Sequence, residues 1–480
     1  VTAALRTELL NAALIGVAFL AIFALAELWR KFGAPPVEWT RKLVHFGGGV
    51  VAAFFPWLLH SHWTVLALGA GFLAILWGSR RMGLLQSVHG VARSSEGGIY
   101  FPIAIYLVFL IGSGHPVSYF ISVLVLVVAD AAAAVFGSAY GRMHFDVERD
   151  KRSIEGSTVF FVSAFLIVLL SLLLLTDTDR LLSVLVAAQI ALVVTVVEAV
   201  SIEGNDNILV PLATYFLLYK LTQQTTAMLQ VQLIAQLVIS AVVGLAAWRI
   251  PFVSGSGAAA LTLFVYGAYA LGGPEWTVGP VVGIAAFGLL FARRTTDSGA
   301  RSPRYQVIAA FYICVVPTLL FFANNLFESI LRQPLWLAEG DPFYPVFLGA
   351  CAAQVAIVAW NLEPSTGGSA LGMPGWTPDG SAAIPTSDLP APNEWSLAIA
   401  FAAAAAVVII GPGLYVHVLT LRAIAVAAAV AFLGPTIYHA MRHLPQWPKQ
   451  PPWNARLATM SVAIASVMVI AVWLNVLSSR

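Results

Sequence analysis

Long apolar runs follow one another along almost the whole chain, with only short polar stretches between them. A run of about 20 mostly apolar residues is what a helix needs to cross the hydrocarbon core of a bilayer. Backbone N–H and C=O groups cannot stay unpaired there, so spans of this kind are expected to be helices. By that ruler about sixteen spans begin near residues 10, 42, 63, 99, 117, 158, 181, 207, 230, 256, 276, 305, 343, 395, 413 and 457. Composition agrees: 59% of the 480 residues are hydrophobic and only 10% are charged. The expected fold is therefore an all-α, polytopic membrane bundle. The first run is expected to be a span rather than a removable leader, because no basic segment precedes it and no small-residue cleavage site follows. Cys314 and Cys351 both fall inside apolar runs and read as small core residues rather than a disulfide or metal pair.

The few charges are unevenly placed. Arg30, Lys31, Arg41 and Lys42 share one short loop region, Arg80, Arg81 and Arg93 the next on that side, and Arg142, Arg149, Lys151 and Arg152 the one after. Of the Lys and Arg residues, the intervening loops near 60, 114, 178, 225 and 273 hold only Arg180 and Lys220. Because Lys and Arg in short loops stay cytoplasmic, the basic loops are expected to face the cytosol and the N-terminus to face out. The alternation blurs after residue 395, where Arg422 lies within an apolar stretch. Residues 361–394, rich in Pro, Gly, Ser and Asp, read as one long polar loop.

One cytosolic loop differs from a simple topology signal. Arg149 to Glu155 holds five charged residues in seven, and Gly156 and Ser157 follow as an apolar helical run begins. A helix start offers N–H donors, glycine lets backbone come close, and Lys and Arg neutralise phosphate. Lys151, Arg152, Ser153, Gly156 and Ser157 are thus candidates to bind a nucleotide's phosphates; attraction to anionic lipid is the plainer reading. Asp130, deep within a span, is costly in hydrocarbon and should face an interior. Ala134, Gly137 and Gly141 share its helical face and form a narrow stripe where a second helix or a ligand can approach. Asp130 itself is either a structural acid bonded to a neighbouring helix or a functional one. Glu198, then Asp206 and Asn207 in "SIEGNDN", supply hard oxygens that suit Mg²⁺ beside phosphates; Asp206–Asn207 equally suits a turn that caps a helix. Arg41 and His45 stand at i and i+4 as a span begins, and His45 is a satisfied core histidine or a base or phosphate contact. No Walker loop, dinucleotide fingerprint, protein-kinase signature or Ser–His–acid triad is legible.

Four segments in order, "RKLVHFGGG" (41–49), "SSEGGIYFPIA" (94–104), "VADAAAAVFGSAYGR" (128–142) with "KRSIEGS" (151–157), and "VEAVSIEGNDNILVPL" (197–212), resemble the dolichol, phytol and farnesol kinases. These are polytopic enzymes that phosphorylate isoprenoid alcohols, and the resemblance covers about residues 10–225. It implies a nucleoside triphosphate donor, commonly CTP with ATP as the other candidate, Mg²⁺, and a prenol acceptor such as phytol, geranylgeraniol, farnesol or dolichol. Residue by residue it places Asp130 on the family's aspartate, Lys151, Ser153, Gly156 and Ser157 on its "K-S-x-x-G-S" loop, Glu198, Asp206 and Asn207 on its "E…D-N" segment, and Arg41, Lys42 and His45 on its "R-K-x-x-H". Two departures stand out. Ala129 replaces the glycine that commonly precedes the aspartate, and Arg152 is inserted between Lys151 and Ser153.

The resemblance divides the chain into a kinase-like domain at 1–225 and a second domain at 226–480. Residues 240–363 of the latter resemble the family of the phytyl-phosphate kinases in degenerate form: Ile357 stands near its expected aspartate and only Glu363 remains. The implied partners are a nucleotide, an isoprenoid alcohol and the bilayer, with no nucleic acid. Two rival activities remain open at this point. "KRSIEGS" also resembles the "K-T-x-E-G" loop of cytidylyltransferases that make CDP-lipids, and a lipid transporter is the non-enzymatic alternative.

Overall fold

A computed structural model describes residues 3–35, 37–85, 87, 97–112, 114–147, 150–201, 204–249, 255–283, 285, 344–345, 347–349, 351–353, 409 and 421–442. The chain divides into two compact units, Val1–Leu237 and Val238–Arg480. The expected spans near 305, 395 and 457, the loop 361–394, and Cys314, Ile357 and Glu363 lie outside the described residues.

Among its described residues the first unit is helical apart from one hairpin, and its last helix runs on past Leu237. Its elements are α1 (Ala3–Gly33), α2 (Val37–Ala53), the short α3 (Phe55–Leu58), α4 (His62–Arg81), α5 (Gly97–Ile111), α6 (Pro116–Leu124), a π-helical turn (Val125–Ala129), α7 (Asp130–Tyr140), β1 (His144–Val147), β2 (Asp150–Ser153), α8 (Ile154–Leu175), α9 (Arg180–Val200), α10 (Asp206–Leu221) and α11 (Thr226–Arg249). Among the described residues, six segments are long and apolar enough to cross a membrane, including Pro116–Tyr140 as one span built from α6, the π turn and α7. Three of the sixteen expected starts correspond to shorter apolar helices in the described residues: α5, a stretch of α12 (Gly255–Gly272), and part of α13 (Leu421–Arg442).

Local chemistry sets the helix starts. Ser61 caps α4 by accepting from Trp63 N–H at 3.2 Å, and Asp179 caps α9 by accepting from Leu181 and Leu182 N–H at 2.9 and 3.3 Å. Pro116 opens α6, where its missing N–H costs nothing. Helix α8 shows how a mostly apolar segment chooses its faces. Phe160, Ala164, Val168 and Leu172, four residues apart, are buried, while Val162, Leu166 and Leu170 stay exposed on the other side. The buried row meets Val186, Ile190 and Val194 of α9 in the main core, and the exposed row is where lipid belongs. Lipid tails are as apolar as these side chains, so close packing and the few internal hydrogen bonds have to hold the helices together. Tyr119 Oη donates to the Ala52 carbonyl at 2.9 Å, Tyr215 Oη to Ile111 at 3.1 Å, and Gln189 Nε2 to Leu229 at 2.9 Å.

In the second unit, α12 and α13 are described over most of their length. Trp276 packs on Tyr344 and Phe347, with ring centroids at 5.4 and 4.7 Å, and Cys351 is a buried free thiol, as a core residue should be.

Candidate active site

The helix α2 approaches the 116–140 span very closely, and glycines make this possible. A side chain at Gly49 would collide with Val127 of the π turn, and one at Gly48 would meet Phe19 of α1 at 2.9 Å. That approach delivers the start of α2 to Asp130, the residue directly after the π turn. Lys42 Nζ lies 2.6 Å from Asp130 Oδ2 and His45 Nε2 lies 3.6 Å from the same oxygen. The side chains of Lys42, His45 and Asp130 keep only 20%, 16% and 14% of their exposure. Within the lipid span, Asp130 therefore has a direct cation partner, and that partner is Lys42, to which sequence reasoning gave no role of its own. Its signal was present: Lys42, His45 and Gly49 stand at i, i+3 and i+7, one face of a helix. Arg41 lines the same cavity one position away.

The basic loop is a β-hairpin, not an irregular segment. Strands β1 and β2 pair antiparallel with His144 opposite Ser153 and Phe145 opposite Arg152. Alternate strand residues point to opposite faces, and this separates the two basic residues that the sequence suggests as a pair. Lys151 is exposed. Arg152 turns inward, where its guanidinium bonds Glu198, lies 3.4 Å from Asp206 Oδ2 and donates to the Ser201 carbonyl at 3.3 Å. Burial alone would lower the Arg152 pKa, but Glu198, Asp206 and Asp130 outweigh it and hold it above the usual arginine value. Arg152 was expected on the donor phosphates together with Lys151; here it is the cation that joins the two acids of the "E…D-N" segment.

Ser153 ends β2 and caps α8, its Oγ accepting from Gly156 N–H at 3.1 Å. Ile154 N–H goes to the Met143 carbonyl at 2.9 Å, and the Glu155 carboxylate accepts from Met143 N–H. Two of the donors expected to face phosphate at this helix start are thus already engaged. The small-residue stripe on α7 is also in use. A Cβ on Gly137 would stand 3.0 Å from Ser153 Oγ and 3.3 Å from Gly156 Cα, and one on Gly156 would stand 3.2 Å from the Ala133 carbonyl. Of the two uses the stripe allowed, close approach of a helix is the one realised at Gly137. Gly137→Ala is accordingly expected to destabilise the protein by about 1–3 kcal/mol through overpacking, read as a lower melting temperature in detergent.

After α9, Gly204 (φ +92°) reverses the chain in a conformation that side-chain-bearing residues rarely adopt. Asp206 then begins α10, with its Oδ1 accepting from Asn207 N–H at 3.1 Å.

Arg41, His45, Asp130, Lys151, Arg152, Ser153, Gly156, Ser157, Glu198, Asp206 and Asn207 all line one cavity of about 1710 Å³, as does Lys42. Phe72, Leu76, Trp77 and Phe101 from α4 and α5 add an apolar, aromatic stretch to its wall, alongside Arg80, Ser138 and His144. Among the described residues no group of three or more His, Cys, Asp or Glu side chains is arranged around a metal. Glu198 and Asp206 nevertheless converge on one cationic group, Arg152. Mg²⁺ on a phosphate usually takes one or two carboxylates from a protein, and Glu198 and Asp206 are the carboxylates that lie together here.

Comparison with known proteins gives one informative match. The chain is 32% identical over 200 residues to a phytol kinase of Synechocystis sp., an alignment covering 40% of this chain and 84% of that protein. No protein-family profile and no solved structure matches the chain.

Proposed function

The chain belongs to the polyprenol kinase family that includes phytol kinase, and on that premise we propose that it transfers the γ-phosphate of a nucleoside triphosphate, CTP before ATP, to the hydroxyl of an isoprenoid alcohol such as phytol, geranylgeraniol, farnesol or dolichol. The observation that supports this best is the shared cavity, in which an intramembrane carboxylate and a basic hairpin at the helix ends meet. Phosphoryl transfer asks a protein mainly for positioning and charge neutralisation, and both are on hand.

In this reading the donor enters from the hairpin side, which the excess of Lys and Arg assigns to the cytosol. Lys151 reaches its phosphates from the exposed face of β2, with Ser153 and Ser157 beside it. Glu198, Asp206 and Asn207 would hold Mg²⁺, whose charge would offset that of the phosphates. Arg152 must then share its two carboxylates with the metal or swing to the phosphates itself. The prenol hydroxyl comes to Asp130, which is about ten residues and roughly 15 Å of helix from the end of its span. There the carboxylate orients the hydroxyl and accepts its proton, Lys42 holds that carboxylate in place, and His45 and Arg41 face the transferring group.

The test is purified protein with Mg²⁺, γ-labelled CTP or ATP and a panel of prenols. Label in a lipid phosphate supports the kinase and identifies donor and chain length. Release of pyrophosphate with a phosphatidate acceptor would instead make the protein a cytidylyltransferase. Lys151→Ala is expected to raise the nucleotide Kd about tenfold or more, the loss of one charge-assisted contact. An unaltered titration would remove Lys151 from the donor site.

A further inference from the structure

Head and tail of a prenol make opposite demands on the cavity, and the residues around Asp130 meet only the first. The α7 stripe is narrowed at Gly137 by Ser153 and Gly156 and offers little room to a branched hydrocarbon there. On the other side, the cavity has an apolar wall that lies outside the main core along α1, α2 and α4 and reaches that core at Phe101. Phe23, Ala26 and Val44 form a separate small cluster, and Leu43, Phe72 and Leu76 pack on it while staying partly exposed. Phe72 stands in a row of rings: stacked on Phe23 at 5.5 Å, edge-on to Phe19 at 5.7 Å, and 6.4 Å from Phe101. Phe101 in turn lies 5.0 Å from the ring of His45, whose Nε2 is 3.6 Å from Asp130.

Aromatic surface thus leads without a break from the carboxylate to α4. Depth is consistent with a shared occupant: Phe72 is about nine residues, roughly 13 Å, from the end of α4, close to the value for Asp130 in its own span. At the cavity mouth Trp77, itself exposed, carries the Arg81 guanidinium 3.8 Å from its ring centroid, an anchor suited to the headgroup level.

Resting on the prenol-kinase reading of the site, we infer that the isoprenoid tail lies along this wall, against Leu43, Phe72, Leu76 and Phe101, and that Phe72 and Leu76 set the chain length accepted. The tail consists of carbon and hydrogen only, so it selects by shape against partly exposed apolar side chains.

The experiment uses the full chain in lipid vesicles and a tritiated C15 prenol with a terminal diazirine, photolysed with and without excess unlabelled prenol. Competed label on the segment from Phe72 to Trp77 is the expected result; competed label on the segment from Ala133 to Ser138 overturns the inference. In a second arm, Leu76→Trp should lower the ratio of kcat/KM for C20 over C15 prenols by about tenfold, the scale on which pockets discriminate hydrocarbon, with the nucleotide KM unchanged. An unchanged ratio counts against Leu76 as a determinant of length. A protein that phosphorylates prenols yet is labelled elsewhere loses only the tail assignment, whereas one that phosphorylates no prenol loses the kinase reading on which it rests.

Discussion

Asp130→Asn is expected to lower kcat for prenol phosphorylation by about 10²–10⁴-fold, the usual contribution of a positioned general base, while the protein still inserts and folds. The amide has the shape of the acid, and its oxygen can still accept from Lys42 Nζ, now 2.6 Å from the carboxylate. What disappears is the negative charge and the capacity to take a proton. Lys42 is then left in a largely buried place with no carboxylate opposite it, so a modest fall in melting temperature should accompany the loss. Radiolabel transfer from the γ-phosphate, with melting followed in the same detergent, separates the two effects. Turnover at the original rate would mean that Asp130 is a structural acid, and the site would have to be sought elsewhere in the cavity.

Arg152→Ala should produce the largest loss of stability of any change near the site. Glu198 keeps 5% of its side-chain exposure and Asp206 keeps 15%, and both depend on the same guanidinium. Removing one partner of a buried pair costs about 3–5 kcal/mol, because the other charge is left without compensation in a largely desolvated place. The double variant Arg152→Met with Glu198→Gln removes cation and acid together and should recover a good part of the melting temperature. No recovery would show that the hairpin fold, rather than charge compensation, is what Arg152 supports. Arg152→Lys keeps the charge without the planar fork and should fall between the two.

The limits of the sequence follow from the kind of information each feature needs. The six spans among the described residues are legible because length and apolarity are local properties. The acids and bases of the site are legible because charge is costly in such a chain and is seldom kept without a use. Pairing is not local. Whether Lys42, His45 or Arg41 reaches Asp130 depends on how closely α2 approaches the π turn, and Gly49 marks the close approach without naming the partner. Strands of four residues leave no readable period, so the hairpin looked like a loop and the opposite destinations of Lys151 and Arg152 were hidden. A stripe of small residues announces space but not its occupant: at Gly137 the occupant is α8, and the aromatic wall on α4 and α5 shows no charged signature at all.

The π turn at Val125–Ala129 has an effect on inheritance as well as on geometry. Such a turn accommodates one residue more than an α-helical turn would, and one residue corresponds to about 100° of rotation about the helix axis. Asp130 faces Lys42 because of where it falls in this count, not only because it is an aspartate. Deleting a single residue between Val125 and Ala129 would carry the acid, and every side chain after it, about a quarter turn toward another neighbour. A related span that lacks the extra residue would have to keep its acid on a shifted position to serve the same place. Gain or loss of one codon is therefore enough to switch this helix between an acid-bearing and an acid-free interior face, with the apolar character of the segment left as it was.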